Sequence, residues 1–269
     1  MTVFEGIFLG LTQGLTEFLP VSSSGHLAIM SKLFGIQEGN IFYSVMLHFS
    51  TLIAVLIYFR KDIIRLFFSL LSLIRKIAKM QNSKLALYER MVLLLLIATI
   101  PTVVIGLLFS DQFEFLYTDL RFVGFALIIT GTLLLLSEKI GKRNLDLSNI
   151  SFPKAILIGL FQGLAIAPGI SRSGSTIVGA LFVGLNREEA ARFSFLLSIP
   201  AISGAALLEM LSINTANVVL NANLFLGMLT AFTAGMLSIG ILMNLIRKGK
   251  LYYFSIYVFA LGLFTIFFL

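Results

Sequence analysis

Residues 10–25 read GLTQGLTEFLPVSSSG and residues 159–174 read GLFQGLAIAPGISRSG, eight of sixteen positions identical at a constant offset of 149. The shared residues include Gln13/Gln162, Ser22/Ser171, Ser24/Ser173 and Gly25/Gly174. Ungapped self-similarity of this kind is the mark of an internal duplication. Each copy is apolar and broken midway, by Pro20 to Ser24 in the first and by Pro168 to Ser173 in the second. A helix needs about 20 apolar residues to cross a bilayer. Residues 2–36 and 153–184 therefore each yield two pieces too short to span singly, and read as re-entrant helical hairpins.

The rest of the chain explains where such hairpins can live. Of 269 residues, 58% are apolar and only 12% charged, and the mean hydropathy is +0.99. A soluble domain carries roughly 25% charged residues, so lipid must solvate much of this surface. Charge-free runs at 39–59, 91–110, 122–137, 193–208, about 224–246 and 251–269 predict six crossings. The polar patch Asn214, Thr215, Asn217, Asn221, Asn223 reads as a loop before the fifth. The N-terminus MTVFEGIFLG, with no basic leader or small-residue cleavage site, reads as part of the mature chain.

Positive charge then tests the order of crossings, because Lys and Arg collect on cytoplasmic loops. Residues 60–90 hold eight, 139–154 four, Arg187 and Arg192 two, and 247–250 three, so 17 of 20 fall on alternate segments. Lys32, Arg121 and Arg172 are the exceptions. Both termini are predicted outside. The same count accounts for the net charge of +7 loop by loop and leaves no need for nucleic acid as a partner; the basic segment 60–90 reads as meeting anionic headgroups. Zero Cys excludes disulfides, thiolate metal sites and a thiol nucleophile.

Three spans separate the two copies, an odd number, so the second sits upside down. The fold class is an all-α polytopic membrane protein: six transmembrane helices plus two re-entrant hairpins in an inverted-topology repeat. The domain is single, 1–269, with repeat one at about 1–138 and repeat two at about 153–269. Inverted repeats with interrupted helices place their ligand where the breaks meet, near the midplane. There the N-terminal N–H groups of two half-helices suit an anion, phosphate above all.

Chemistry concentrates at these breaks. Gln13 and Glu17 lie one helical turn apart, and an acid in an apolar hairpin is a functional candidate. Ser22, Ser23 and Ser24 serve either as helix caps or as reacting hydroxyls. His26, three residues after Ser23, shares its face as a base or hydrogen-bond partner. In the second break, Arg172 offers the planar fork of donors that binds oxyanions, and Ser171, Ser173 and Thr176 add hydroxyls that suit phosphoryl oxygens or cap the next helix. His48 has no acidic neighbour in sequence and reads as structural.

These two motifs, Gln13 and Glu17 followed by Pro20 to His26, and Pro168, Gly169, Ser171, Arg172, Ser173 and Thr176, resemble those of the bacterial undecaprenyl pyrophosphate phosphatases of the bacitracin-resistance type. The resemblance covers the whole chain. It implies a multi-pass enzyme of the bacterial inner membrane that removes the terminal phosphate of a polyprenyl diphosphate, with its site open to the outer face. Carrier-lipid recycling for peptidoglycan synthesis and bacitracin resistance come with it. It also implies a divalent cation, Mg²⁺ or Ca²⁺. Because Gln13 stands where the family pattern also has Glu, Glu17 and the substrate are left as the cation's ligands. Membrane lipids are the other implied partner, and a homodimer is compatible with this reading.

On that basis Arg172, the break amides, Ser171, Ser173 and Thr176 hold the phosphoryl group, Ser23 is the expected nucleophile and His26 its base or the proton donor to the leaving group. Direct attack by His26, or by water that His26 activates, is the other route. A transporter or flippase for an anion or lipid phosphate is the rival from architecture alone. The acid-phosphatase type, suggested by Ser24-Gly25-His26, is excluded because it needs a second His with Asp four residues on, and His48 is followed there by Leu52.

Overall fold

The computed structural model describes residues 2–35, 41–81, 83–139, 144–212 and 222–269. Those residues form twelve α-helices and no strand apart from one isolated parallel bridge between Leu145 and Leu185. The first hairpin is α1 (Val3–Phe18) and α2 (Ser23–Phe34), and the second is α8 (Phe152–Leu164) and α9 (Arg172–Phe182). Between them run α3 (Ile41–Tyr58), α4 (Arg60–Ala78), α5 (Leu87–Leu108), α6 (Ser110–Tyr117) and α7 (Leu120–Glu138); α10 (Arg187–Ser212), α11 (Ala222–Arg247) and α12 (Tyr252–Phe268) close the chain.

Local chemistry explains the interruptions. α1 starts on a reciprocal cap, Glu5 N–H donating to Thr2 Oγ1 and Thr2 N–H to Glu5 Oε2. It stops where Pro20 drives the preceding Leu19 to extended backbone, φ −66°, ψ 145°. α2 restarts on Ser22, whose hydroxyl accepts from Gly25 N–H at 3.2 Å. α8 carries Pro153 in its first turn, where a missing N–H costs nothing. Its continuation is broken by Pro168 and by Gly169 at φ +90°, a conformation side chains disfavour. α9 restarts on Ser171, capped by the same serine-to-glycine bond at 3.1 Å.

Packing of the hairpins depends on closeness. Gly6, Gly10 and Gly14 line one stripe of α1, and a Cβ on Gly14 would come 2.5 Å from the Ala231 carbonyl of α11. At Gly10 the obstacle is the Gly227 carbonyl, closer still. The second copy repeats the device: Gly159 packs on the Ala98 carbonyl of α5, and a Cβ on Gly163 would meet Ile105 at 2.5 Å. Small residues four apart let helices approach to backbone contact where no hydrophobic force separates helix from lipid.

The chain is a multi-pass membrane protein. Among the described residues four helices are long and apolar enough to cross: α5, α7, α10 and α11. α3 and α4 together make a fifth if counted as one bent span, and α12 is a shorter apolar helix. Among the described residues each of the six charge-free runs is mainly helical. The segment 60–90, read as a basic loop, is mostly the helix α4, which leaves α3 at an angle of 85°. Exposed Ile64, Phe67, Phe68, Ile74 and Ile77 alternate along it with basic side chains at helical spacing, the pattern of a helix lying at an interface. Of the polar patch before α11, residues 214–221 lie outside the described residues.

Candidate active site

The two breaks meet. Ser173 Oγ donates to the Leu19 carbonyl at 3.0 Å, and a Cβ on Gly25 would lie 3.1 Å from Gly169 Cα. Thr130 of α7 pins the second break from behind, donating to the Gly169 carbonyl and accepting from Ser171 N–H, both at 3.0 Å. Ser173 and Leu19, 154 positions apart in sequence, thus share one small volume. Around it sit Phe18, Phe195, Ser194 and Ser198, with Phe18 and Phe195 packed edge-on at 5.8 Å as an apolar floor.

Glu17 is the hub. Its side chain is 3% exposed, and Oε2 accepts from Ser23 Oγ at 2.6 Å and from Gln13 Nε2 at 2.9 Å. Arg172 Nη1 lies 3.3 Å from Oε1, and His48 Nε2 lies 3.8 Å from Oε2. A buried carboxylate is tolerated only with this density of donors and counter-charge. Arg172 Nη1 is buried and, among the described residues, has no aligned hydrogen-bond acceptor. A guanidinium donor of this kind can bind an oxyanion.

The serines divide by role. Ser22 and Ser171 spend their oxygens capping α2 and α9, and each also shares a 3.2 Å contact with the hydroxyl two residues on, Ser24 and Ser173. Thr176 lines the same volume as Glu17, Arg172 and Ser173, its hydroxyl 2.8 Å from the Arg172 carbonyl and bonded to Ser194 Oγ. Ser23 is the hydroxyl aimed at a charged acceptor.

Ser23 and His26, read as nucleophile and as its base or the proton donor to the leaving group, have different partners here: Ser23 bonds Glu17. The His26 ring is held elsewhere, Nδ1 2.8 Å from the Ser22 carbonyl and Nε2 2.7 Å from the Tyr257 hydroxyl of α12. A carbonyl only accepts, so Nδ1 carries the proton and Nε2 is the lone-pair nitrogen. Tyr257 had no signal in sequence, because nothing local links α2 to α12. His48, read as structural, joins the site: its Nδ1 donates to the Ser44 carbonyl at 2.9 Å and its Nε2 faces Glu17. An acid near it in space was invisible to a search for one near it in sequence.

The donor set suits a hard cation only in part. Among the described residues no cluster of three or more His, Asp or Glu gathers. What exists is the Glu17 carboxylate and, one turn before it, Gln13 Oε1, buried and without a hydrogen-bond partner among the described residues. Two hard oxygens fit Mg²⁺ or Ca²⁺ that draws its other ligands from substrate and water.

Residues 6–264 match the family model described as bacitracin resistance protein BacA. The chain is similar to the undecaprenyl-diphosphatase of Alkaliphilus metalliredigens, 44% identical with 100% of this chain and 99% of that one covered. It is likewise 44% identical to that of Carboxydothermus hydrogenoformans, covering 97% and 95%, and 42% identical to that of Methanobrevibacter smithii, covering 98% and 96%.

Proposed function

The chain belongs to the bacitracin resistance protein BacA family, and from that membership and the joined breaks we propose that it hydrolyses undecaprenyl diphosphate to undecaprenyl phosphate and inorganic phosphate. It is an enzyme that recycles the lipid carrier for peptidoglycan synthesis, and resistance to bacitracin follows from removing the diphosphate. The observation that carries this reading is the contact of Glu17 with both Ser23 and Arg172 across two separate hairpins. A nucleophile, an acid–base group and an oxyanion clamp are what phosphoryl transfer requires. A purely transporting protein needs no such hydroxyl poised on a carboxylate, and relatives named for hydrolysis do not favour that alternative.

The finer architecture belongs to the same proposal. α3, α5, α7, α10, α11 and α12 cross the membrane, the two hairpins re-enter it from opposite sides, and 1–138 and 153–269 are inverted copies. Helix pairing supports this: α1 packs chiefly on α11 and α8 on α5, so each hairpin's first helix grips the second crossing of the other copy. The third crossings α7 and α12 pair with each other, as do the first, α3 and α10. The site opens to the outer face of the inner membrane, opposite the basic segments.

In the reaction, Arg172 leaves Glu17 for the terminal phosphate as the diphosphate enters. The N-terminal amides of α2 and α9 add the positive ends of two helix dipoles. Ser23 Oγ attacks the terminal phosphorus, the bond to the bridging oxygen breaks with its electrons going to the lipid phosphate, and the Ser23 proton passes to Glu17 Oε2. Water then attacks the phosphorus held on Ser23 and gives its proton to His26 Nε2, while the bond to Ser23 Oγ breaks and that oxygen takes its proton back from Glu17 Oε2. Glu17 and Gln13 would hold a divalent cation, which when bound supplies charge neutralisation to the diphosphate.

The test is phosphate release from a polyprenyl diphosphate by purified protein in detergent, without any gradient. Wild-type turnover is expected, with Ser23→Ala and Arg172→Ala each lower in kcat by roughly 10²- to 10⁴-fold. No hydrolysis by the wild type would overturn the phosphatase reading, and near-normal turnover by Arg172→Ala would remove the oxyanion clamp.

A further inference from the structure

His26 is 4% exposed, yet both ring nitrogens are satisfied, and by partners from opposite ends of the chain. The first is the Ser22 carbonyl. Ser22 sits at φ 70°, unusual for a residue with a side chain, and this turn lets its carbonyl accept from His26 N–H at 3.2 Å and from Nδ1 at 2.8 Å. Backbone held in that region persists only when its surroundings demand it. The second partner is the Tyr257 hydroxyl, 2.7 Å from Nε2, whose ring lies nearly parallel to the imidazole with centroids 5.6 Å apart.

We infer that Tyr257 is a positioning residue for the reaction, acting through His26. The inference rests on the phosphatase reading. Of the two ring nitrogens, only Nε2 has a lone pair to take a proton, and the Tyr257 hydroxyl is the group that faces it. Tyr257 is half-exposed at 48%, so the hydrogen bond ties the buried imidazole to a residue at the surface of the helix bundle. It holds the imidazole at one angle and in one tautomer until substrate and water arrive. Neither motif contains it, because α12 is brought to α2 by the fold alone.

Tyr257→Phe removes the hydroxyl and keeps the ring, so packing is preserved and only the hydrogen bond is lost. In detergent, kcat on a polyprenyl diphosphate is expected to fall about 10- to 100-fold with KM within about twofold, a part of the roughly 10²- to 10⁴-fold that a placed acid–base group contributes. Unchanged kcat, or a loss carried by KM alone, would overturn the inference. An independent readout needs no activity. The chain has two histidines, so ¹⁵N imidazole spectra are sparse, and a His26→Gln sample assigns the resonances of His26. The wild-type Nε2 resonance is expected to be that of a hydrogen-bonded lone-pair nitrogen and to shift in Tyr257→Phe; an unmoved resonance would refute the contact. A wild-type protein that shows the shift but releases no phosphate would count against the phosphatase reading while leaving the His26–Tyr257 pair standing.

Discussion

At the scale of single residues, function depends on how each polar group is satisfied. Glu17 is saturated by Ser23, Gln13, Arg172 and His48. Glu17→Gln keeps the size of the side chain but removes the charge that faces Arg172 and, with it, the base that takes the Ser23 proton in the proposed mechanism. Its kcat is expected to drop by roughly 10²- to 10⁴-fold, measured by phosphate release. Thr130 is a structural counterpart, with one hydroxyl joining two backbone groups of the second break. Thr130→Val leaves a buried carbonyl and a buried N–H unpaired, at about 1–3 kcal/mol for each such group. A lowered midpoint of thermal unfolding in detergent checks this, and an unchanged midpoint would show that the break holds itself. Glu17, Ser23, His26 and Arg172 could all be picked out in the sequence, since polar residues at apolar depth are conspicuous. Their pairing could not, because Ser23 chooses between Glu17 and His26 by the path of the chain through Leu19 to Ser22.

At the scale of elements, two features decide the site: where helices stop, and how closely they pack. The stops are legible where proline comes with other breakers, Pro20 before the serines and Pro168 with Gly169 at φ +90°, whereas the isolated Pro101 and Pro200 lie inside α5 and α10. Close packing was legible only as spacing, Gly10 and Gly14, Gly159 and Gly163, without the partner helix. The structure supplies the partners, α11 and α5. Gly10→Ala puts a methyl group into the Gly227 carbonyl and must push α1 off α11, taking Glu17 with it. It is expected to lose both thermal stability and turnover. Gly204 on α10 has nothing within 4 Å of where a Cβ would stand, so Gly204→Ala should be neutral or stabilising by up to about 1 kcal/mol, the helix-propensity difference. Equal behaviour of the two variants would mean that the α1–α11 contact does not position the site. α4 shows where pattern reading fell short: a dense basic run suggested a loop, while the apolar residues at helical spacing among those charges were the stronger signal.

At the scale of the whole molecule, charge sets orientation and ion pairs tie the basic side together. Arg192 pairs with Asp62, Arg187 with Glu138 through two hydrogen bonds, and Arg247 with Glu188. Glu138 also accepts from Leu251 N–H at 3.1 Å, joining α7, α10 and the start of α12. Glu138→Ala is expected to cost on the order of 1–3 kcal/mol in thermal stability, with turnover retained because the site lies elsewhere. The absence of Cys makes sidedness directly measurable. With an impermeant thiol reagent on intact cells, Tyr117→Cys should label and Lys61→Cys should not; the reverse pattern would overturn the proposed orientation. By itself the sequence determined the solvent, the duplication, the two breaks and the residue types at them, because hydropathy, Pro and Gly act locally. Only the tertiary structure decided that Glu17 meets Arg172, that Ser23 turns to Glu17, and that His26 turns to Tyr257, because each contact joins segments whose meeting depends on how the helices pack.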